Sequence, residues 1–197
     1  MGKYGRNQML FDLGQPDSLT SPHLHKVIED LDSQFDLVMI AEHMDESLVL
    51  MRHILCWSLQ DVVVFTKNAR REELKPVVST QNLETIRELN NADITLYYHF
   101  LSRFKKEVVE FGVDRMAAEV EQLRALREEY YQDCGAREVK GRDETLQFKE
   151  YSGLVNSYAL ANTSDISCVT MFMPELPFLN LIRQRQKEWL SDPDPPT

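Results

Sequence analysis

The sequence predicts an α/β domain, rich in helices, whose parallel sheet is incomplete within its 197 residues. Three observations predict it. Phe35-Asp36-Leu37-Val38-Met39-Ile40 is short, apolar on both faces and preceded by polar residues, as a buried parallel strand should be. The helix expected next, over residues 46–57, is apolar almost all round through Leu48, Val49, Leu50, Met51, Ile54, Leu55 and Cys56, so it must be covered on more than one side. From Ser79 the periodicity turns helical.

Taken in order, residues 1–22 carry Gly2, Gly5, Gly14, Pro16 and Pro22 with few apolar side chains, and read as loop with at most a short helix at 8–13. Pro22 suits the first turn of a helix running to Leu31. Asp45 is placed to cap the helix over 46–57, with Glu46 in the first turn where the dipole favours a negative charge. Asp61-Val62-Val63-Val64-Phe65 is a second possible strand. Ser79 or Thr80 caps a helix to about Leu89. Ile94, Tyr97, Leu101, Phe104, Val108 and Phe111 recur at steps of three and four and predict a long helix with that stripe, ended by Gly112. Another helix starts at Asp114, with Met116, Val120, Leu123, Leu126 and Tyr130 along one face and Arg124 paired with Glu128 outside. Residues 135–150 are charged and read as loop, 151–160 as a short turn or strand, and a last helix runs from near Pro174 to Leu190. One domain therefore covers residues 1–190, and the Pro-rich tail 191–197 is expected to be disordered.

A lone buried strand cannot satisfy its backbone, because each ladder needs a neighbour. The strand at 35–40 has at most one partner in this sequence, and two strands are a poor platform for helices so apolar. The missing strands are expected before residue 1.

The net charge of -10, without any Lys/Arg cluster, argues against nucleic acid and against an anionic membrane surface as partners. No run approaches the roughly 20 apolar residues of a membrane span. A Walker-type loop, a Gly-x-Gly-x-x-Gly and a Cys-x-x-Cys are all absent from the sequence. His23-x-His25 lacks a third ligand nearby, so no metal is assigned. His43, His53 and His99 read as packed or solvated, and no nucleophile with a paired base is recognisable.

Two places have the composition of a binding site. Tyr4-Gly5-Arg6-Asn7 combines an aromatic, a flexible glycine, a fixed cation and an amide, a group able to hold a sugar or phosphate; it reads equally as a frayed terminus. Ala41-Glu42-His43-Met44-Asp45-Glu46-Ser47 lies just beyond the C-terminal end of the expected strand, the edge where open α/β sheets bind ligands, and reads more simply as a capped helix start. Cys56 is expected as a buried thiol. Cys134 and Cys168 lie at element ends, where a disulfide forms in an oxidising compartment, and Asn162-Thr163-Ser164 fits either an N-glycosylation acceptor or a polar loop.

Several stretches together resemble the C-terminal half of the galactose 3-O-sulfotransferases. They are Tyr4-Gly5-Arg6-Asn7 with Asp12-Leu13-Gly14, the unbroken run from Phe35 through Ala41-Glu42-His43-Met44-Asp45-Glu46-Ser47 to Leu48-Val49-Leu50, Leu55-Cys56-Trp57 with Asp61-Val62-Val63, Leu96-Tyr97 with His99-Phe100, and Met173-Pro174-Glu175-Leu176. The resemblance runs from about Tyr4 to Leu181. It implies a P-loop-like sulfotransferase fold with helices on both faces of a parallel sheet. It also implies sulfuryl transfer from 3′-phosphoadenylyl sulfate to the 3-hydroxyl of galactose on a glycolipid or glycan, in the Golgi lumen. The family's membrane anchor, donor-binding loop and catalytic base are expected to precede Tyr4, so no catalytic residue is assigned and the chain alone is expected to be inactive. The resemblance leaves Tyr4, Arg6 and Asn7 as acceptor-wall candidates. Its luminal setting favours a glycan on Asn162 and a Cys134–Cys168 bridge. A competing reading is a non-catalytic relative in which the helices between residues 79 and 131 form an interaction surface.

Overall fold

The computed structural model describes residues 5–16, 19, 21–67 and 69–191. Helices dominate, in the order α1 (Gln8–Asp12), α2 (Ser21–Asp32), α3 (Met44–Ile54), α4 (Thr80–Leu89), α5 (Asn91–Phe111), α6 (Val113–Asp133), α7 (Ile166–Phe172) and α8 (Glu175–Ser191). The strands β1 (Ala136–Lys140) and β2 (Asn156–Leu160) stand between α6 and α7. Two compact units divide the chain: Met1–Val62 with Val77–Leu123, and Val63–Pro76 with Arg124–Thr197. Tail residues 192–197 fall outside the described residues, and Ser191 closes α8.

In the first unit, residues 35–40 form neither helix nor strand: the chain bends at Asp36, Ile40 is extended at φ -105° and ψ 120°, and no ladder partner stands beside them among the described residues. Side chains hold this backbone instead. Ser47 Oγ accepts from Ile40 N at 3.1 Å, and Arg103 donates to Asp36 O at 2.8 Å. Ile40 alone is buried in the segment, while Leu37, Val38 and Met39 are half-buried and Phe35 is exposed. The expected buried strand is thus an irregular, half-covered segment, because a ladder cannot form without a neighbour.

The helix after it starts two residues earlier than an Asp45 cap predicts. A 3-10 turn, Ala41–His43, leads into α3; His43 occupies the N-cap position and Asp45 lies in the first turn. Its end also differs, at Ile54 rather than Trp57. Cys56 takes φ 54°, and Trp57 N donates to Arg52 O at 2.8 Å, the six-to-one bond of a Schellman ending. A cysteine holds the left-handed position that glycine would fill without strain, and its thiol is exposed where a buried one was expected.

Further along, Ser79 caps α4 by accepting from Asn82 N at 3.2 Å, and Gly112, at φ 103°, ends α5. The stripe on α5 is rotated from the expected one. Ala92, Asp93, Leu96, Phe100 and Phe104 are buried, while Ile94, Tyr97, Leu101, Val108 and Phe111 flank them half-buried, so Phe104 alone is common to both sets. A step pattern finds the helix, but neighbouring apolar rows such as 96–100–104 and 97–101–104 fit it equally well.

The second unit carries the only sheet among the described residues, and it is antiparallel where a parallel one was expected. Ala136 pairs with Leu160 and Lys140 with Asn156. Arg70 bridges to Val155, continuing the pairing at the entry to β2. The stretch read as charged loop therefore contains β1. Its Arg137, Glu138 and Lys140 point to solvent or lie at the edge, so the apolar alternation that marks a strand is missing. Neither does the expected strand over residues 61–65 form. Gln60–Val62 is a 3-10 turn, and Phe65 enters an aromatic cluster instead, stacked on Phe172 at 4.1 Å with Tyr158 and Tyr131 around it. Cys134, Ala136, Cys168 and Phe172 are the buried heart of this cluster.

Candidate functional site

The meeting of α1 with α5 organises the surface on which the candidate residues stand. A helix N-terminus leaves amides without partners, and here each helix caps the other. Asn7, just before α1, accepts through Oδ1 from Ala92 N and Asp93 N in the first turn of α5, at 3.2 and 3.3 Å. Asp93 returns the arrangement, accepting from Met9 N at 2.9 Å and Leu10 N at 3.0 Å in the first turn of α1. Asn90 adds a bond from Asn7 N to its own Oδ1 at 2.8 Å. Asn7 sits at φ 44°, a left-handed conformation that asparagine tolerates better than most residues.

This geometry places the sequence-derived candidates differently from one another. Asn7 is 4% exposed, with its amide oxygen committed to α5. Arg6 is exposed. Tyr4 lies outside the described residues. Along the other candidate stretch, Ser47 is fully buried against Ile40, and the His43 ring stacks on Phe104 at 5.5 Å with Glu46 3.7 Å from its Nδ1. Glu42, just before His43, remains exposed to solvent.

Glu42 forms one side of an open groove of about 1120 Å³ lined by residues of α1, α4 and α5, with Tyr97 and Tyr98 on its wall. The two phenol rings meet edge to face, 5.4 Å between centroids, and Tyr98 is 62% exposed. Burial, together with the negative charge and hydrogen bond of Glu42, holds the Tyr97 hydroxyl above its ordinary pKa. Sequence reasoning named Glu42 and Tyr97 without joining them, and passed over Tyr98. Its one visible mark was a large aromatic beside the apolar row rather than in it.

A second polar cluster in the same unit is closed. Glu119 receives Arg52 at 2.9 Å, His53 at 2.8 Å and Arg115 at 3.0 Å, and Arg115 also lies 4.2 Å over the Phe111 ring. Burial alone would raise the Glu119 carboxyl; the hydrogen bonds from His53, Arg115 and Arg52 outweigh it and hold the group below its ordinary value. Each carboxylate oxygen faces an arginine, which leaves this cluster a cross-link between α3 and α6.

In the second unit, Cys134 and Cys168 are joined by a disulfide with Cα atoms 5.5 Å apart. Asn162 is exposed in the turn after β2, its amide donating to Cys134 O at 3.2 Å. Lys67 donates to Met173 O, and burial pushes its ammonium down to about 8 against the opposing charge of Glu150. Among the described residues no group of His, Cys, Asp or Glu could hold a metal ion, and no helix is long and apolar enough to cross a membrane.

The family model for galactose-3-O-sulfotransferase matches residues 1–186. This chain belongs to the galactose-3-O-sulfotransferase family. It is 34% identical over 190 residues to galactosylceramide sulfotransferase of Mus musculus, covering 90% of this chain and 45% of that protein. The human protein of that name is 35% identical over 189 residues, with shares of 89% and 45%. Human galactose-3-O-sulfotransferase 2 is 34% identical over 190 residues, with shares of 89% and 48%. The chain thus spans about half the length of the relatives it matches. No solved structure matches it.

Proposed function

We propose that this chain is the acceptor-side part of an enzyme that transfers a sulfuryl group from 3′-phosphoadenylyl sulfate to the 3-hydroxyl of a galactose on a glycolipid or glycan, in the Golgi lumen. The observation that carries the reading is the family match across residues 1–186, joined to relatives whose names specify galactosylceramide and galactose as acceptors. The proposal includes the fold. Residues 35–40, without a ladder partner among the described residues, dock as a strand of a parallel, P-loop-like sheet.

Sulfuryl transfer passes a planar group in line between two oxygens, so it depends on positioning, on cations for the equatorial charge and on a base for the acceptor proton. The start of α3 does not suit the donor. The helix N-terminus nearest the end of that segment carries Glu42, Asp45 and Glu46, which repel a phosphosulfate. No donor contact is therefore assigned to this helix start, and residues 1–197 alone are expected to be inactive. Arg6, and Tyr4 beside it in sequence, remain candidates for the acceptor wall. Asn162 carries a glycan in the luminal setting.

The test is a chimera in which residues 1–186 replace the matching segment of human galactosylceramide sulfotransferase. The expected result is 3-O-sulfation of galactosylceramide or lactose by the chimera and none by the isolated chain. A chimera that retains adenosine 3′,5′-bisphosphate on an affinity matrix yet sulfates no galactoside contradicts the reading, as does transfer by the isolated chain.

A further inference from the structure

We infer that the groove between Glu42 and Tyr98 is a subsite for one neutral pyranose ring, with the exposed Tyr98 ring as its stacking platform and the Glu42 carboxylate as acceptor for ring hydroxyls. In naming galactose as that ring, the inference rests on the proposed function. The groove itself is independent of it, being built entirely from the first unit.

Charge selects the class of ligand. Glu42, Glu88 and Asp93 line the groove against Arg87 alone, and Asp93 is already bonded to the α1 amides. A phosphate or sulfate entering here meets more carboxylate than cation, which disfavours any anion. A polyol pays no such penalty. Its hydroxyls donate to Glu42 and accept from Arg87 and Asn91, both of which face the groove.

Shape selects further. Tyr98, largely in solvent, lines the groove and meets Tyr97 edge to face, and Tyr97 is in turn tied to Glu42. An aromatic face fixed in this way presents an apolar plate beside a carboxylate. A galactopyranoside is amphipathic in a complementary sense. Its axial 4-hydroxyl lies on one face and leaves the C–H groups at positions 3, 4 and 5 together on the other, where a ring can cover them. A glucopyranoside, with its equatorial 4-hydroxyl, offers a less continuous apolar face.

Saturation-transfer NMR on the 197-residue chain tests this with methyl β-galactoside, methyl β-glucoside and adenosine 3′,5′-bisphosphate as probes. Saturation should reach the C–H protons of the galactoside, and more weakly those of the glucoside. Tyr98→Ala and Glu42→Gln should each weaken galactoside binding at least tenfold. Tyr98→Phe, which keeps the ring, and Tyr151→Ala, on an exposed tyrosine of the second unit, should leave it unchanged. Displacement of the galactoside by the bisphosphate, no saturation in the wild-type chain, or unchanged affinity in either groove variant overturns the inference. Sulfation by the chimera that survives Tyr98→Ala with unaltered galactoside binding sinks the subsite and leaves the enzyme standing. Galactoside bound in the groove of a protein that never transfers sulfate does the reverse.

Discussion

The two units differ in the specific ties that supplement their apolar cores. In the first, the ties between distant parts of the chain are polar and directional: Asn7 and Asp93 cap each other's helices, Ser47 holds Ile40, and Arg103 bonds Asp32 at 2.7 Å as well as the Asp36 carbonyl. In the second, a covalent bond and a cluster of four aromatic rings do the equivalent work around a two-stranded hairpin. The difference teaches where a ligand is to be sought. Directional bonds fix the α1–α5 junction while leaving Tyr98 and Glu42 in solvent, whereas the four clustered rings of the second unit pack on one another.

The largest effect should come from breaking the covalent tie. Its partners are 34 residues apart, for which loop-closure entropy gives about 3–4 kcal/mol. Cys134→Ser with Cys168→Ser should lower the denaturant midpoint of the second unit accordingly, with hydrogen exchange at Leu10 and Ala92 in the first unit unaltered. Equal loss of protection in both units would show that the division is not energetic.

Next comes the mutual cap. Asp93→Ala leaves two amides of α1 without acceptors, at a cost of about 1–3 kcal/mol, and Asn7→Ala does the same to α5. Because the residues share one junction, the double variant should cost less than the sum of the singles. Strict additivity in urea unfolding would mean that the two caps act independently.

Acid should separate the units in a smaller way. Glu119 is held below its ordinary value of 4.5 in the folded chain, so its contribution is fully present above that pH and is lost as pH falls through the lower folded value. Glu119→Gln should flatten the acid limb of the first unit's stability curve; an unchanged limb would remove the cluster from the account. Lys67 works in the opposite direction in the second unit. Its pKa, lowered to about 8 from 10.5, makes stability rise between those pH values, and Lys67→Met should abolish that rise.

The same contrast explains what the sequence made legible. Helices announce themselves by spacing and caps, and α1, α2, α4 and α8 lie close to where Gln8, Pro22, Ser79 and Pro174 put them. The rotated face of α5 was hidden because apolar residues occupy more than one of its rows. The hairpin was hidden because Arg137, Glu138 and Lys140 give β1 no alternating apolar face. Helix α7, with Asp165 accepting from Ser167 N at 2.8 Å, has only seven residues in which to show a period. At the candidate site, composition pointed to Asn7 as a ligand-facing amide, but a buried cap between residues more than eighty positions apart leaves no local pattern. Glu42 was visible within its stretch, yet only the fold sets it opposite Tyr98.

The central claim is that the first unit reads the acceptor and does not hold the donor. The most direct measurement is steady-state kinetics of the chimera with both substrates varied, comparing wild type with Tyr98→Ala. The account predicts that KM for the galactoside rises by about tenfold, the equivalent of about 1.4 kcal/mol, while KM for 3′-phosphoadenylyl sulfate stays constant. A rise in the donor's KM with the galactoside's unchanged would contradict it.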